Sequence, residues 1–173
     1  MPNWCENYVE VTGPRKVMDK LAEALEEQHE EGLFRTILDY ITPVEEQVTN
    51  KLVGEDDSNW YSNNIENYGT KWDVTDVPYE GYEPYEEDGK WEASFETAWS
   101  PPIAIFDNLA ETLDIRVKIF YLEEGMGFAG IFDSEELEGY STDDITEADD
   151  IPAALDNCFD IESRMEEYRE EWA

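Results

Sequence analysis

The sequence predicts an α+β fold, one antiparallel sheet with helices on one face. Two observations carry this expectation. Trp4–Thr12 and Lys90–Trp99 alternate residue by residue between buried-type and polar-type side chains, the period of a half-buried strand. Each alternating stretch then meets a proline-marked corner and gives way to apolar residues at helical spacing.

Taken in order, the first strand sends Cys5, Val9 and Val11 one way and Trp4, Glu6, Tyr8 and Glu10 the other. Gly13-Pro14 ends it, and Val17, Leu21 and Leu25 with Met18 form the stripe of a first helix. Leu33 to Val53 reads as a strand or helical turn followed by a short helix. In the polar stretch Glu55–Asn67, Trp60, Tyr61 and Ile65 are expected to act as anchors. Tyr68–Val74 reads as a second strand opened by a glycine turn, and Asp76–Gly89 as a long loop. In the third strand, Trp91, Ala93, Phe95, Thr97 and Trp99 share the buried face, with Glu92, Ser94 and Glu96 opposite. Ser100 is expected to cap the next helix, with Pro101 at its first position and Ile103, Phe106, Ala110 and Leu113 facing the core. Ile115–Leu122 is a fourth strand, whose Arg116 and Lys118 are expected beside Glu92 and Glu96 of a neighbour. A hairpin returns along Gly127–Phe132. Asp133–Asp150 reads as an acidic loop. Pro152 near a helix start and the stripe Ile161, Met165, Tyr168, Trp172 predict one or two C-terminal helices.

The order strand, helix, strand, strand, helix, strand is the split βαβ arrangement of ferredoxin-like sandwiches. We therefore expect a ferredoxin-like domain over residues 1–132, and over 133–173 an acidic loop and C-terminal helical appendage packed on it.

Charge dominates the composition. The 173 residues hold 45 acidic and 11 basic side chains, a formal net charge of -34, with a 40% hydrophobic share. Such a surface repels nucleic acid and anionic membranes and attracts basic proteins. B-DNA carries one charge per roughly 1.7 Å of axis, so the net charge equals that of about 17–20 base pairs. Imitation of DNA, a solvated surface that serves solubility, and halophilic adaptation all follow from the same composition. No apolar run reaches the roughly 20 residues needed to span a bilayer, and nothing resembles a signal peptide. Two cysteines make no disulfide framework, so a cytoplasmic setting is expected.

Catalytic and cofactor signals are weak. Gly125-Met-Gly-Phe-Ala-Gly130 matches a dinucleotide pattern, but strand residues follow it and Glu123 and Glu124 precede it, so a glycine-rich hairpin is the better reading. Glu26-x-x-His29 has di-iron spacing, yet the chain holds a single histidine. No loop has the calcium-binding Asp-x-Asp-x-Asp-Gly arrangement. Cys5 falls at a core position without a histidine partner. No cofactor, no metal and no enzymatic activity are expected. The aromatics Trp4, Tyr8, Trp60, Tyr68, Trp72, Trp91 and Trp99 read first as packing and second as a protein-binding patch rimmed by acids.

Four blocks carry a family resemblance: Asn3-Trp-Cys-Glu-Asn7, Tyr68-Gly-Thr-Lys-Trp-Asp73, Thr97-Ala-Trp-Ser-Pro-Pro102, and Tyr121 with Glu124-Gly125, Phe128 and Gly130. Together they resemble the YubB-type ferredoxin-like family of phage and plasmid proteins. Tyr68 departs from the second tryptophan or similar ring expected there. The resemblance implies the fold and a mobile-element origin, and it brings no catalytic residues. Joined to the charge, it leads to the expectation of a DNA-mimicking inhibitor that blocks the basic groove of a host restriction or CRISPR nuclease or other DNA-binding protein. The alternative is an accessory module binding a protein or peptide through its aromatic sheet face. For the mimic, the candidate contacts are Glu162, Glu166, Glu167, Glu170 and Glu171 on the C-terminal helix, with Glu83, Glu86, Glu87, Asp143 and Asp144 in acidic loops.

Overall fold

The computed structural model describes residues 1–26, 32–43, 59–136, 139–142 and 151–171, without the side chains at 168, 169 and 171. Among them, β1 (Trp4–Pro14), β2 (Tyr79–Pro84), β3 (Asp88–Ala98), β4 (Arg116–Glu123), β5 (Phe128–Asp133) and β6 (Tyr140–Thr142) form one sheet in the order β2-β3-β1-β4-β5-β6. Every neighbouring pair is antiparallel. The first four strands with helices α1 (Arg15–Glu26) and α4 (Ile103–Leu113) make the ferredoxin-like unit. Between α1 and β2 stand α2 (Leu33–Ile41) and α3 (Trp60–Tyr68); after β6 come α5 (Ala153–Phe159) and α6 (Ile161–Glu171).

The alternation in β1 and β3 sets the layers. Cys5, Val9 and Val11 of β1 and Trp91, Ala93 and Phe95 of β3 are buried on the first face, against Met18, Leu21 and Leu25 of α1 and Ile105, Phe106 and Leu109 of α4. Phe34 of α2 is the hub, with ring centroids 5.5 Å from Tyr68, 5.8 Å from Phe95 and 6.3 Å from Phe106. A second, smaller cluster lies on the opposite face, where Leu155, Phe159 and Ile161 cover Phe120, Leu122 and Ala129. The C-terminal helices thus sit across the sheet from the other four and cover its β4–β5 half. They are two helices, separated at Asp160, whose left-handed φ of 54° stops α5.

Several expectations are corrected. Tyr68–Val74 is not a strand: Tyr68 ends α3, Gly69 caps it at φ 85°, and an irregular segment follows. The second strand is Tyr79–Pro84, inside the expected loop; it is an edge strand, which tolerates its prolines. Trp60, Tyr61 and Ile65 are exposed, and Tyr68 is the residue of α3 that anchors it. Ser100 does not cap α4, which begins at Ile103; its hydroxyl donates to the Gly69 carbonyl at 2.7 Å. Trp99 leaves the buried face altogether, with φ at 72° and its ring exposed. Arg116 and Lys118 do not neighbour β3, because β1 lies between. Their partner is Asp133 of β5. The Glu26-x-x-His29 spacing and Trp172 lie outside the described residues.

Candidate functional site

The acids expected to form the contact surface fall into two groups. Glu83 ends β2, and Glu86 and Glu87 sit in the tight turn to β3, all exposed. The turn is fixed by Arg15, whose backbone N–H donates to the Glu87 carbonyl at 2.8 Å and whose guanidinium reaches the Tyr85 carbonyl at 2.7 Å. Glu162, Glu166, Glu167 and Glu170 are exposed along α6. Asp143, Asp144 and the side chain of Glu171 lie outside the described residues. The two groups are not neighbours. The hairpin turn is level with Pro14, whereas α6 is tied at Arg164 to Glu6 and Glu124. Eight residues of β1 separate these levels, roughly 27 Å at the strand rise.

Around the hairpin end the acidic rim continues. A cleft of about 630 Å³ is bordered by Asp88, Asp107, Glu111, Asp114 and Glu135, with Lys90 and Arg116 on its sheet side. Those two cations belong to a lattice of ion pairs on the second face. Lys90 contacts both Glu10, at 3.3 Å, and Glu92. Tyr8 donates its hydroxyl to Glu92 at 2.5 Å. Burial works against the Glu92 carboxylate, but the bonds from Lys90 and Tyr8 outweigh it and hold its pKa below the usual range. Asp133, only 3% exposed, takes two bonds from Arg116 at 2.6 and 3.1 Å and lies 3.3 Å from Lys118. Burial again disfavours the charge, and Arg116, the Glu135 amide and Lys118 prevail, so this pKa is also lowered. Arg164 bridges Glu6 at 2.7 Å and Glu124 at 2.8 Å, and its bond to Glu6 keeps it firmly protonated against burial.

At the opposite end the four sequence blocks converge. Asn7, buried, donates to Thr97 Oγ1 at 2.8 Å and to the Cys5 carbonyl at 2.8 Å. Thr97 passes its hydroxyl to the Ser100 carbonyl at 2.7 Å, and Thr70 bonds the Ala98 carbonyl at 2.8 Å. The Trp99 amide donates to the Asn3 carbonyl at 3.0 Å. These bonds hold Trp99 in a left-handed conformation that a bulky side chain rarely adopts. The result is an exposed group of rings. Trp4 and Trp72 have centroids 6.4 Å apart, and Lys71 Nζ stands 4.5 Å over the Trp72 ring. Glu123, 1% exposed, accepts from the Gly125 and Met126 amides at 3.0 and 2.6 Å and shapes the adjoining hairpin turn. The dinucleotide-like glycines thus belong to a β4–β5 hairpin.

The model of the family described as "Ferredoxin-like domain in Api92-like protein" matches residues 67–164, more than half of the chain. The chain belongs to this family. No curated protein matches the Api92-like chain. Among solved structures, the crystal structure of a protein api92 from Yersinia pseudotuberculosis is similar at 9% identity and a TM-score of 0.49, covering 82% of this chain and 98% of that one. In the Api92-like chain the matched residues run from the end of α3 into α6 and take in β2 to β6. The central strand β1 lies outside the match, yet through Asn7 and Asn3 it is bonded to the matched blocks.

Among the described residues, no group of three or more His, Cys, Asp or Glu side chains is arranged to hold a metal ion. Cys5 is pushed up to about 12 by burial and then by Glu123, far from a reactive thiolate. No described helix is long and apolar enough to cross a membrane. Sequence reasoning missed Tyr79, which stands on the second face beside Ser94. The two tyrosines of Tyr79-Glu80-Gly81-Tyr82-Glu83 are the available strand signal, and the bracketing prolines conceal it.

Proposed function

We propose that the protein is a non-enzymatic DNA mimic that occupies the basic groove of a host DNA-binding defence protein, a restriction or CRISPR nuclease. One observation carries this reading: six of the nine cations whose side chains are described are held in ion pairs, while the acids of the hairpin turn and of α6 are exposed. Arg15 is held by Asp19, Arg35 by Asp39, Lys90 by Glu10 and Glu92, Arg116 and Lys118 by Asp133, and Arg164 by Glu6 and Glu124. The exposed acids of the hairpin turn and of α6 then stand roughly 27 Å apart along the sheet. A duplex of that length presents about 16 phosphate charges. The YubB-type resemblance supports a phage or plasmid origin, and on this reading the protein acts in the cytoplasm of the bacterial host.

Capture by an immobilised panel of host restriction and CRISPR proteins, with and without competing duplex DNA, tests the reading. Capture that DNA competes away, and that weakens steeply with salt, is expected. A second reading draws on the exposed ring pair of Trp4 and Trp72 and the exposed Trp99: an accessory module that binds a protein or peptide through an aromatic sheet face. Capture indifferent to DNA would favour that reading and overturn mimicry.

A further inference from the structure

The half of the second face that α5 and α6 leave uncovered is a groove of about 530 Å³ between α5 and β3, with Tyr8, Ser94 and Glu96 on its floor and Asn157 on its helix wall. We propose that this groove docks an arginine side chain, presented by an extended basic segment of the partner, on the carboxylate of Glu96.

The register supplies the argument. Glu6 and Glu96 face each other across β1 and β3, two like charges at the same level of the same face. The chain fills one of them itself. Arg164 binds Glu6 with both terminal nitrogens, at 2.7 and 3.2 Å. Glu96 is exposed and makes no ion pair among the described residues. The register sets an aromatic residue diagonal to it on each neighbouring strand. Trp4, paired with Ala98, is its diagonal neighbour on β1, and Tyr79, paired with Ser94, is its diagonal neighbour on β2. Diagonal neighbours lie about 7–8 Å apart, within reach of aromatic and long side chains. Both rings are about half exposed, Trp4 at 48% and Tyr79 at 49%.

A carboxylate with an exposed aromatic residue diagonal to it on each side suits a planar guanidinium, which forms paired hydrogen bonds and stacks at the same time. A lysine ammonium can do only part of this. Lys71 over Trp72 is an internal example of a cation on this ring cluster. The site deepens the proposed function, resting on it only for the partner being basic: the distributed charge attracts, and Glu96 fixes register.

The full chain is titrated with an eight-residue peptide of alternating Ser and Arg at 0.15 M salt, read by tryptophan fluorescence and by calorimetry. Glu96→Gln and Tyr79→Ala are each expected to weaken binding about tenfold, while Glu23→Gln on α1 and Glu66→Gln on α3, exposed on the opposite side of the sheet, change it less than twofold. Replacing Arg by Lys in the peptide is expected to weaken binding to the wild type about fivefold and to Glu96→Gln hardly at all. Thermal melts of both groove variants report folding independently. Equal losses for groove and control variants, no loss at Glu96, or no peptide binding would overturn the proposal. DNA-competed capture that survives Glu96→Gln at full strength would overturn the docking site and leave mimicry standing. Peptide binding centred on Glu96 without capture of any DNA-binding protein would do the reverse.

Discussion

Asp133 concentrates the fold's electrostatics in one side chain. It is almost fully buried at the end of β5 and neutralises Arg116 and Lys118 of the adjacent strand. Asp133→Asn is expected to cost about 2 kcal/mol in urea unfolding at pH 7, because a charged bond pair is lost and two cations are left facing an amide. Its folded pKa is lowered, so the stabilisation is complete above the unfolded value near 3.9 and disappears as pH falls through the lower folded value. The difference between wild type and variant should therefore narrow progressively as pH falls below about 4. If it does not narrow at all there, it is not the carboxylate's charge that matters. Asp73 acts differently. Its carboxylate accepts the Phe34 and Arg35 amides at 2.7 and 2.8 Å and so caps α2 from 39 positions away in the chain. Gly32 must be glycine here, since a Cβ would stand 2.4 Å from that carboxylate and φ is 107°. Asp73→Ala is expected to lose about 1–2 kcal/mol, measured by thermal melts, and a loss below 0.3 kcal/mol would refute the capping role. Neither residue's role was legible in the sequence, where Asp73 reads as strand and Asp133 as the start of a loop. Side-chain bonds between distant positions leave no local pattern.

At the scale of elements, legibility follows periodicity. β1, β3 and the first half of β4 alternate because one face meets a helix layer and the other meets charge, and α1 and α4 show stripes because each has one buried side. The second strand was misassigned because Tyr68-Gly-Thr-Lys-Trp-Asp-Val74 has strand-like composition while its side chains are spent elsewhere. Thr70 is bonded to Ala98, Asp73 caps α2, and Trp72 packs by Trp4. The true β2 lies at an edge, where exposure removes the alternation signal. The C-terminal helices were legible as helices, but not their placement on the second face. Leu155, fully buried against β4 and β5, makes that placement testable. Leu155→Ala is expected to cost about 2–4 kcal/mol and to raise hydrogen exchange in α5 and α6 before the rest. Uniform exchange across the whole chain would contradict a separate, smaller core on that face.

For the whole molecule, the decisive quantity is charge. A net -34 on 173 residues makes the folded state repel itself, the more so because most of the described cations are clustered in ion pairs. Raising NaCl from 0.02 to 0.5 M shortens the screening length from about 20 Å to about 4 Å, so the melting temperature should rise. A fall would mean that the ion pairs outweigh the repulsion. The same charge was fully legible as a number and not as a map. The hairpin turn and α6 are read from sequence as one acidic surface, and the fold separates them along β1. Glu96 gave no signal because its chemistry comes from the strands beside it, not from its own chain neighbours. The most direct measurement is the salt dependence of binding to a defence protein captured from the panel, for the wild type and for a variant with Glu83, Glu86, Glu87, Glu162, Glu166, Glu167 and Glu170 all changed to Gln. Mimicry predicts that wild-type affinity falls about 100-fold or more between 0.05 and 0.2 M salt, that duplex DNA competes, and that the variant's slope is much flatter. An unchanged slope in the variant, or binding that duplex DNA does not displace, would contradict it.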